Sequence, residues 1–245
     1  MGAVTLFFWS REFNNSFNYG THIHLNEDRS VFFANRLMPP GRIIHQWHSN
    51  GDPISLPLLI PGRSYYFSLA GITVPDKMFT QVVYLDETDQ IVDQQEFPDH
   101  QGTLAMPAGA VNYRLQLMNI RQTGTEFQYG LVMPQSLAVE STVSVALQAG
   151  MIRIQVKDAA AAAQQNLVVL ANRFAAISVP VQAGQSTVAV FKTPDQAQID
   201  QVQAALQPDV PVQLQVVGQG LAGWAEQLRT ALAPNFSFLD SEGKE

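Results

Sequence analysis

The property of this sequence that most restricts its fold is a change of hydrophobic period near residue 150. Ahead of it, apolar and polar residues alternate with period two in short runs punctuated by Gly, Pro, Asn and Asp, the pattern of half-buried antiparallel strands. Tyr65, Phe67 and Leu69 fall on one face of such a run, with Tyr66 and Ser68 on the other; Tyr113, Leu115 and Leu117 oppose Asn112, Arg114 and Gln116. Further runs at 4–9, 21–25, 31–34, 78–85 and 127–133 complete a set of short strands with no long helix among them. Strands spaced in this way are expected to form a β-sandwich or jelly roll.

Beyond residue 150 the pattern mixes periods. Strands are expected at 151–157, 167–171, 177–181, 187–191 and 212–217, with a last short one at 236–239. Residues 177–181 and 187–191 flank Gln182-Ala183-Gly184-Gln185-Ser186 and read as a hairpin. A short Ala-rich helix is expected at 158–165, capped by Asp158, and another at 221–232. Between them a helix runs to about Leu206, with Thr193 as cap, Pro194 at the first helical position, and Ile199, Val202, Ala205 and Leu206 on one stripe. The expected organisation is therefore a mainly β chain: a sandwich over 1–137 and a small α/β domain over 138–245.

Composition follows the same division. Of 23 aromatic residues, 18 lie in the first 150 positions, together with all five histidines. Eight Lys and Arg against 13 Asp and Glu leave that part at −5, and six against eight leave the remainder at −2. Such a field repels phosphate backbones and anionic lipid, so neither nucleic-acid binding nor direct membrane insertion is expected. The absence of cysteine excludes disulfides, thiolate nucleophiles and zinc-thiolate sites. The apolar stretch 2–9 is too short for a signal peptide or a span, and Leu6 occupies the Ser/Thr place of the myristoylation pattern, so a soluble cytoplasmic protein is expected.

Few residues suggest chemistry. Gly218-Gln219-Gly220-Leu221-Ala222-Gly223 forms a G-x-G-x-x-G between an expected strand and an expected helix, with Asp240 at the end of the next strand. In a nucleotide-binding reading, Gly218, Gly220 and Gly223 let a pyrophosphate approach the helix amino end while Asp240 holds a ribose hydroxyl. A plain glycine turn explains the same residues. His22 and His24 share a strand face but lack a third ligand, so no metal is expected, and His45 and His48 are expected to bond loop backbone. No G-x-S-x-G is present, and Asp86, Glu87, Asp89 and Asp93 read as one solvated acidic loop. No catalytic residue and no cofactor emerge.

The most unusual stretch reads Leu37-Met38-Pro39-Pro40-Gly41-Arg42-Ile43-Ile44-His45-Gln46-Trp47-His48-Ser49, followed by Leu56-Pro57-Leu58-Leu59 and Gly62-Arg63-Ser64-Tyr65. Val31-Phe32-Phe33-Ala34-Asn35 runs into it, and Tyr19-Gly20 stands ahead of the His22 strand. Over roughly 6–134 the chain resembles the third of the accessory Sec system proteins, a family of Gram-positive bacteria that export serine-rich repeat glycoprotein adhesins.

The resemblance implies a sandwich similar to carbohydrate-binding modules, held with the two other accessory secretory proteins, one glycosyltransferase-like and one acetyltransferase-like. It also implies the accessory SecA motor ATPase and the glycosylated adhesin preprotein as partners, at the cytoplasmic side of the accessory translocon. Trp47, Tyr66 and Arg114 are the residues expected to meet sugar or partner on exposed faces, with burial at a sandwich end as the competing expectation for Trp47. The leading expectation is a non-enzymatic secretion scaffold. The alternatives are a glycan-active sandwich enzyme or lectin with a nucleotide-binding C-terminal unit, and a capsid-like jelly roll.

Overall fold

The computed structural model of the chain describes residues 2–9, 20–50, 55–157, 164–171 and 175–239. In chain order the elements are β1 (Gly2–Phe7), β2 (His22–Leu25), β3 (Val31–Ala34), β4 (Ile43–His48), β5 (Ser64–Ala70), β6 (Met78–Leu85), β7 (Ile91–Phe97), β8 (Gln101–Ala105), β9 (Asn112–Asn119), β10 (Thr125–Phe127) and β11 (Tyr129–Pro134). They continue with α1 (Gln135–Glu140), β12 (Ser141–Ala146), β13 (Met151–Val156), β14 (Gln165–Leu170), β15 (Ala176–Val181), β16 (Thr187–Val190), α2 (Gln196–Ala205), β17 (Val212–Val217) and α3 (Ala222–Leu232). Two compact units divide the chain: residues 4–135 with 174–178, and residues 1–3, 136–173 and 179–245. Among the described residues, no helix is long and apolar enough to cross a membrane.

The first unit is a β-sandwich, as the period-two runs predict. Its sheets have the orders β15-β1-β11-β5-β8, β4-β9-β6-β7 and β10-β3-β2. Inward residues from all three meet in one core: Phe7, Tyr65, Phe67 and Val132 from the first, Trp47, Val82, Tyr84, Tyr113, Leu115 and Leu117 from the second, Val31, Phe33 and Phe127 from the third. Rings of this size need room on the facing strand. Gly130 on β11 lies directly opposite Phe7, and a Cβ there would stand 1.9 Å from the Phe7 ring, so only glycine admits that ring.

Five strands were not legible as such, among them β10, of which only Phe127 fell in an expected run, and β12, which fell in none. β4, expected as loop, carries an extra residue at Ile44 that shifts its alternation, and β7 and β8 fall in and after the expected acidic loop. β7 carries its own extra residue at Val92, and Ile91 to Glu96 are exposed on both faces, which removes any inside–outside alternation.

The hairpin expected at 177–191 is absent. β15 belongs to the sheet of β1, with Phe8 N–H donating to the Ala175 carbonyl (3.1 Å) and the Thr5 and Ser178 hydroxyls 2.9 Å apart, whereas β16 pairs with β13 and β14. A Gly-containing linker permits a hairpin without requiring one, and burial of Ile177 and Val179 in a different sheet prevails.

The second unit is α/β, with a sheet ordered β12-β13-β16-β14-β17, in which β14 runs parallel to both β16 and β17. Ile199, Val202, Ala205 and Leu206 of the α2 stripe pack with Ala225, Leu228 and Leu232 of α3 onto Leu167, Val169, Val188 and Val190. The cap of α2 is Asp195, not Thr193: its carboxylate accepts from Gln198 N–H at 2.8 Å and Pro194 lies outside the helix. A carboxylate is the stronger acceptor for an orphan first-turn N–H. The expected strand at 236–239 is reduced to a single bridge between Val212 and Phe238, and the expected helix at 158–165 lies largely outside the described residues.

Candidate functional site

The alternation in β9 divides its residues cleanly. Tyr113, Leu115 and Leu117 face the core, while Asn112, Arg114, Gln116 and Met118 lie on the other side of the sheet β4-β9-β6-β7, where Asn112 and Arg114 are half-buried and Gln116 and Met118 are buried. Register then fixes what stands beside them. Gln116 pairs with Gln46 on β4 and Gln81 on β6, and Gln81 pairs with Glu96 on β7. Directly paired residues project to the same side, so Gln46, Gln116, Gln81 and Glu96 form one row across all four strands. The next row is His48, Arg114, Val83 and Gln94.

Chemically this is an amide ladder. Each glutamine offers two donors and a carbonyl acceptor, and the one bond within the row, Gln116 Nε2 to Gln46 Oε1, is long at 3.3 Å. Arg114, its side chain 31% exposed, approaches the Asp89 carboxylate at 3.7 Å, a long exposed pair that contributes little to stability. Its Nε is buried without a hydrogen-bond partner among the described residues. Burial pushes the His48 pKa down, the neighbouring Arg114 charge pushes it further, and Asp89 opposes them, so His48 stands neutral beside Arg114 near neutral pH. Such a face suits ligands with hydroxyl or peptide groups and offers nothing to a phosphate chain beyond one arginine.

The structure puts the three candidates Trp47, Tyr66 and Arg114 in three different places. Trp47 is 0% exposed: its Nε1 donates to the Phe8 carbonyl (2.8 Å) and its ring packs against Phe7 at 5.2 Å and Phe127 at 5.2 Å. It plugs the core and presents no face to a ligand, because β4 directs Gln46 and His48 outward and Trp47 inward. Tyr66 is half-buried on the outward side of β5, where its hydroxyl donates to Gln101 Oε1 at 2.8 Å. Arg114 lies on the outward side of a different sheet.

His45, His100 and Asp86 of this unit serve structure. His45, expected to bond loop backbone, is a core residue stacked on Trp9 at 4.1 Å; burial, and secondarily His48, lowers its pKa to about 3. His100 Nε2 donates to the Pro75 carbonyl (3.2 Å), so Nδ1 accepts from the Thr80 hydroxyl (2.9 Å) in a neutral ring whose pKa burial depresses. Asp86 Oδ1 accepts from Gln90 N–H, Thr88 N–H and the Thr88 hydroxyl within the β6–β7 turn, which hold its pKa below the usual carboxylate range. No group of three His, Asp or Glu able to hold a metal ion occurs among the described residues.

The glycine loop is a tight strand-to-helix turn. Gly218 (φ +122°) and Gly220 (φ +77°) occupy backbone that favours glycine, and a Cβ at Gly218 would stand 2.9 Å from Ala171 Cβ. Gly223 lies in the first turn of α3, and Asp240 lies outside the described residues. β17 is the edge strand of its sheet, so the loop sits at a margin and not at a crevice between two strands, where dinucleotides bind. Close packing on Ala171 accounts for Gly218 without a ligand.

The ladder and most of the sandwich core around it, though not Phe7 or Trp9, fall within residues 16–133, the span matched by the accessory Sec secretory system ASP3 family. A curated relative, the accessory Sec system protein of the same name from Streptococcus gordonii, is 30% identical over 116 residues, 44% of this chain and 73% of the relative. The chain belongs to this accessory Sec family.

Two solved structures are similar to the chain, the first of them at the level of fold. The Glycosylation Associate Protein (Gap123) complex from Streptococcus agalactiae matches with a TM-score of 0.51 at 18% identity, over 96% of this chain and 77% of that one. Accessory secretory protein 1, 2 and 3 from Streptococcus pneumoniae matches with a TM-score of 0.49 at 22% identity, over 52% and 94%. The first of these likenesses in fold reaches past the family span into the C-terminal unit. Carbohydrate-binding modules also occur among the similar structures, at TM-scores of 0.33 and below. Within the accessory Sec family span, reading the sequence found Arg114 and Gln116 but missed Gln46, Gln81 and Glu96; only strand register joins them.

Proposed function

We propose that this accessory Sec family member acts without catalysis, as a scaffold in the cytoplasmic assembly that modifies and exports serine-rich repeat glycoprotein adhesins. The observation that carries the reading is the row Gln46-Gln116-Gln81-Glu96, three amides and a carboxylate on a sheet whose other side is locked into the core, with Glu96 exposed, Gln46 and Gln81 half-buried and Gln116 buried between them. Amides in such a row pair with peptide groups of a partner or preprotein more readily than with charged ligands. The structural use of His45, His100 and Asp86 supports the non-catalytic part of the proposal. The solved assemblies of accessory secretory proteins 1, 2 and 3 and of Gap123 support a place beside the two other accessory secretory proteins; that one is glycosyltransferase-like and the other acetyltransferase-like is what the resemblance implies. The accessory SecA motor and the glycosylated preprotein complete the proposed set, with the complex peripheral at the membrane through its translocon.

The test is co-expression of the full chain with the two other accessory secretory proteins of its host. The wild-type chain is expected to co-purify with both, and a Gln81→Ala/Gln116→Ala variant to lose them at an unchanged melting temperature. Failure of the wild-type chain to retrieve either protein overturns the proposal.

A further inference from the structure

One end of the sandwich is basic in a chain that is acidic as a whole. The sheet β4-β9-β6-β7 brings together the start of β4, the end of β9 and the start of β6, since Ile43 pairs with Met118 and Met78 with Asn119. Three connections therefore meet there: residues 35–42 ahead of β4, the Pro75–Lys77 turn ahead of β6, and residues 119–124 after β9. Asn119 fastens them. Its side-chain amide donates to the Met38 and Pro39 carbonyls (2.9 and 3.1 Å), its own carbonyl accepts from Gly41 N–H, and its N–H donates to the Arg42 carbonyl, the last two at 2.8 Å. The N–H groups of Ile120 and Arg121 donate to the Lys77 carbonyl at 2.9 and 3.1 Å.

These connections carry Arg36, Arg42, Lys77 and Arg121, four of the eight Lys and Arg in the first 150 positions, and all four are exposed. Lys77 pairs with Asp76 at 2.9 Å, whereas Arg36, Arg42 and Arg121 have no ion-pair partner among the described residues. Asp86, Glu87 and Asp89 stand past the other end of β6, whose eight residues span roughly 25 Å. Exposed apolar side chains adjoin two of the arginines. Leu37, next to Arg36, is 71% exposed, the most of any large apolar residue described, and Ile120, next to Arg121, is 39% exposed.

We propose that this end docks on an anionic lipid surface, with Leu37 and Ile120 entering the headgroup region and Arg36, Arg42 and Arg121 meeting lipid phosphates. Peripheral binding of this kind draws on apolar area removed from water and on attraction of basic side chains to anionic headgroups, and this end supplies both on adjacent residues. The net charge of −7 opposes such contact only at long range. Within a Debye length of about 8 Å the local cations decide. An acidic peptide is the poorer fit, because it would pair the guanidinium groups and leave Leu37 and Ile120 in water. The contact is made by this chain itself and is independent of the scaffold reading, in which the membrane is reached through the translocon.

The experiment sediments the full chain with vesicles of phosphatidylglycerol and phosphatidylcholine in equal parts, and with vesicles of phosphatidylcholine alone. Binding to the anionic vesicles only is expected, with release as ionic strength rises from about 0.1 M to about 0.5 M. Arg121→Gln is expected to weaken binding about fivefold, and Arg36→Gln/Arg121→Gln by more than about tenfold, at an unchanged melting temperature. Leu37→Ser is expected to cost about threefold or more. Arg63→Gln removes the same charge from an exposed position ahead of β5 and is expected to leave binding intact. No binding to anionic vesicles, equal binding to neutral ones, or equal losses from Arg63→Gln and Arg121→Gln overturns the proposal. The same variants are tested for retrieval of the two accessory proteins. Lost retrieval by Arg36→Gln/Arg121→Gln with vesicle binding unchanged assigns the end to a protein and also overturns it. Vesicle binding by a wild-type chain that retrieves neither accessory protein sinks only the scaffold reading.

Discussion

The sandwich and the C-terminal α/β unit bury different kinds of side chain. The sandwich core is built on rings, with Phe7, Phe33, Trp47, Phe67, Tyr84, Tyr113 and Phe127 all essentially inaccessible; the α/β core is built on Leu167, Val169, Val188, Val190, Val202 and Leu228. Large planar side chains fill the space between sheets only if facing positions are shaped for them, as Gly130 is for Phe7. Branched aliphatics between helices and a sheet tolerate more rearrangement. The difference teaches where each unit is vulnerable: the sandwich at single ring positions, the α/β unit in its local helix signals.

Truncating the central ring tests this most severely. Trp47→Ala removes the ring that joins Phe7 and Phe127 and leaves the Phe8 carbonyl without its donor; a loss of about 3–5 kcal/mol is expected, read from denaturant unfolding. A loss no greater than that of Val202→Ala would erase the contrast between the cores. Adding volume should also be felt. Gly130→Ala places a methyl in the Phe7 ring and is expected to cost about 1–3 kcal/mol, seen as a lower melting temperature.

The pH dependence of the sandwich sharpens the comparison, since all five histidines lie in its part of the sequence. His45 is held neutral with a pKa near 3 in the fold, against an ordinary value of 6.5. Its contribution is therefore complete above pH 6.5 and is lost as pH falls toward 3, because the unfolded chain takes up the proton first. Between pH 7.5 and 5 the wild type should lose on the order of 2 kcal/mol through this group, and His45→Phe should flatten the profile. The depressed pKa values of His48 and His100 act in the same direction and leave a residual slope. The smallest effect belongs to the α/β unit: Asp195→Ala removes the α2 cap, with an expected loss of about 1 kcal/mol in thermal unfolding and no change in the sandwich's pH profile.

Legibility followed local regularity. Where one face is buried and the strand is even, as in β5, β6 and β9, the period-two pattern located both the strand and its outward residues, Arg114 and Gln116 among them. Where an extra residue interrupts the pairing, at Ile44 and Val92, the alternation slips and β4 and β7 disappear into apparent loops, taking Gln46 and Glu96 with them. For Trp47 the sequence leaves an exposed face and burial at a sandwich end both open, and strand parity in β4 decides for burial. The basic end gave no signal of its own, since Arg36, Arg42, Lys77 and Arg121 are scattered along the chain and only the bonds around Asn119 and Lys77 gather them.

By itself the sequence determined the mainly β class, the α/β character of the C-terminal part and, through the run from Val31 to Tyr65, the family. Those follow from local patterns: the side-chain period of a strand, the stripe of a helix, and an ordered string of residues. Tertiary structure alone decided that β15 joins the sheet of β1, that Trp47 is core, and that Gln46, Gln116, Gln81 and Glu96 share a row while Arg36, Arg42, Lys77 and Arg121 share one end of the sandwich. The physical reason is that register is a long-range property. It is fixed by which strands bury their inward faces against each other, and residues far apart in the chain become neighbours only when that choice is made.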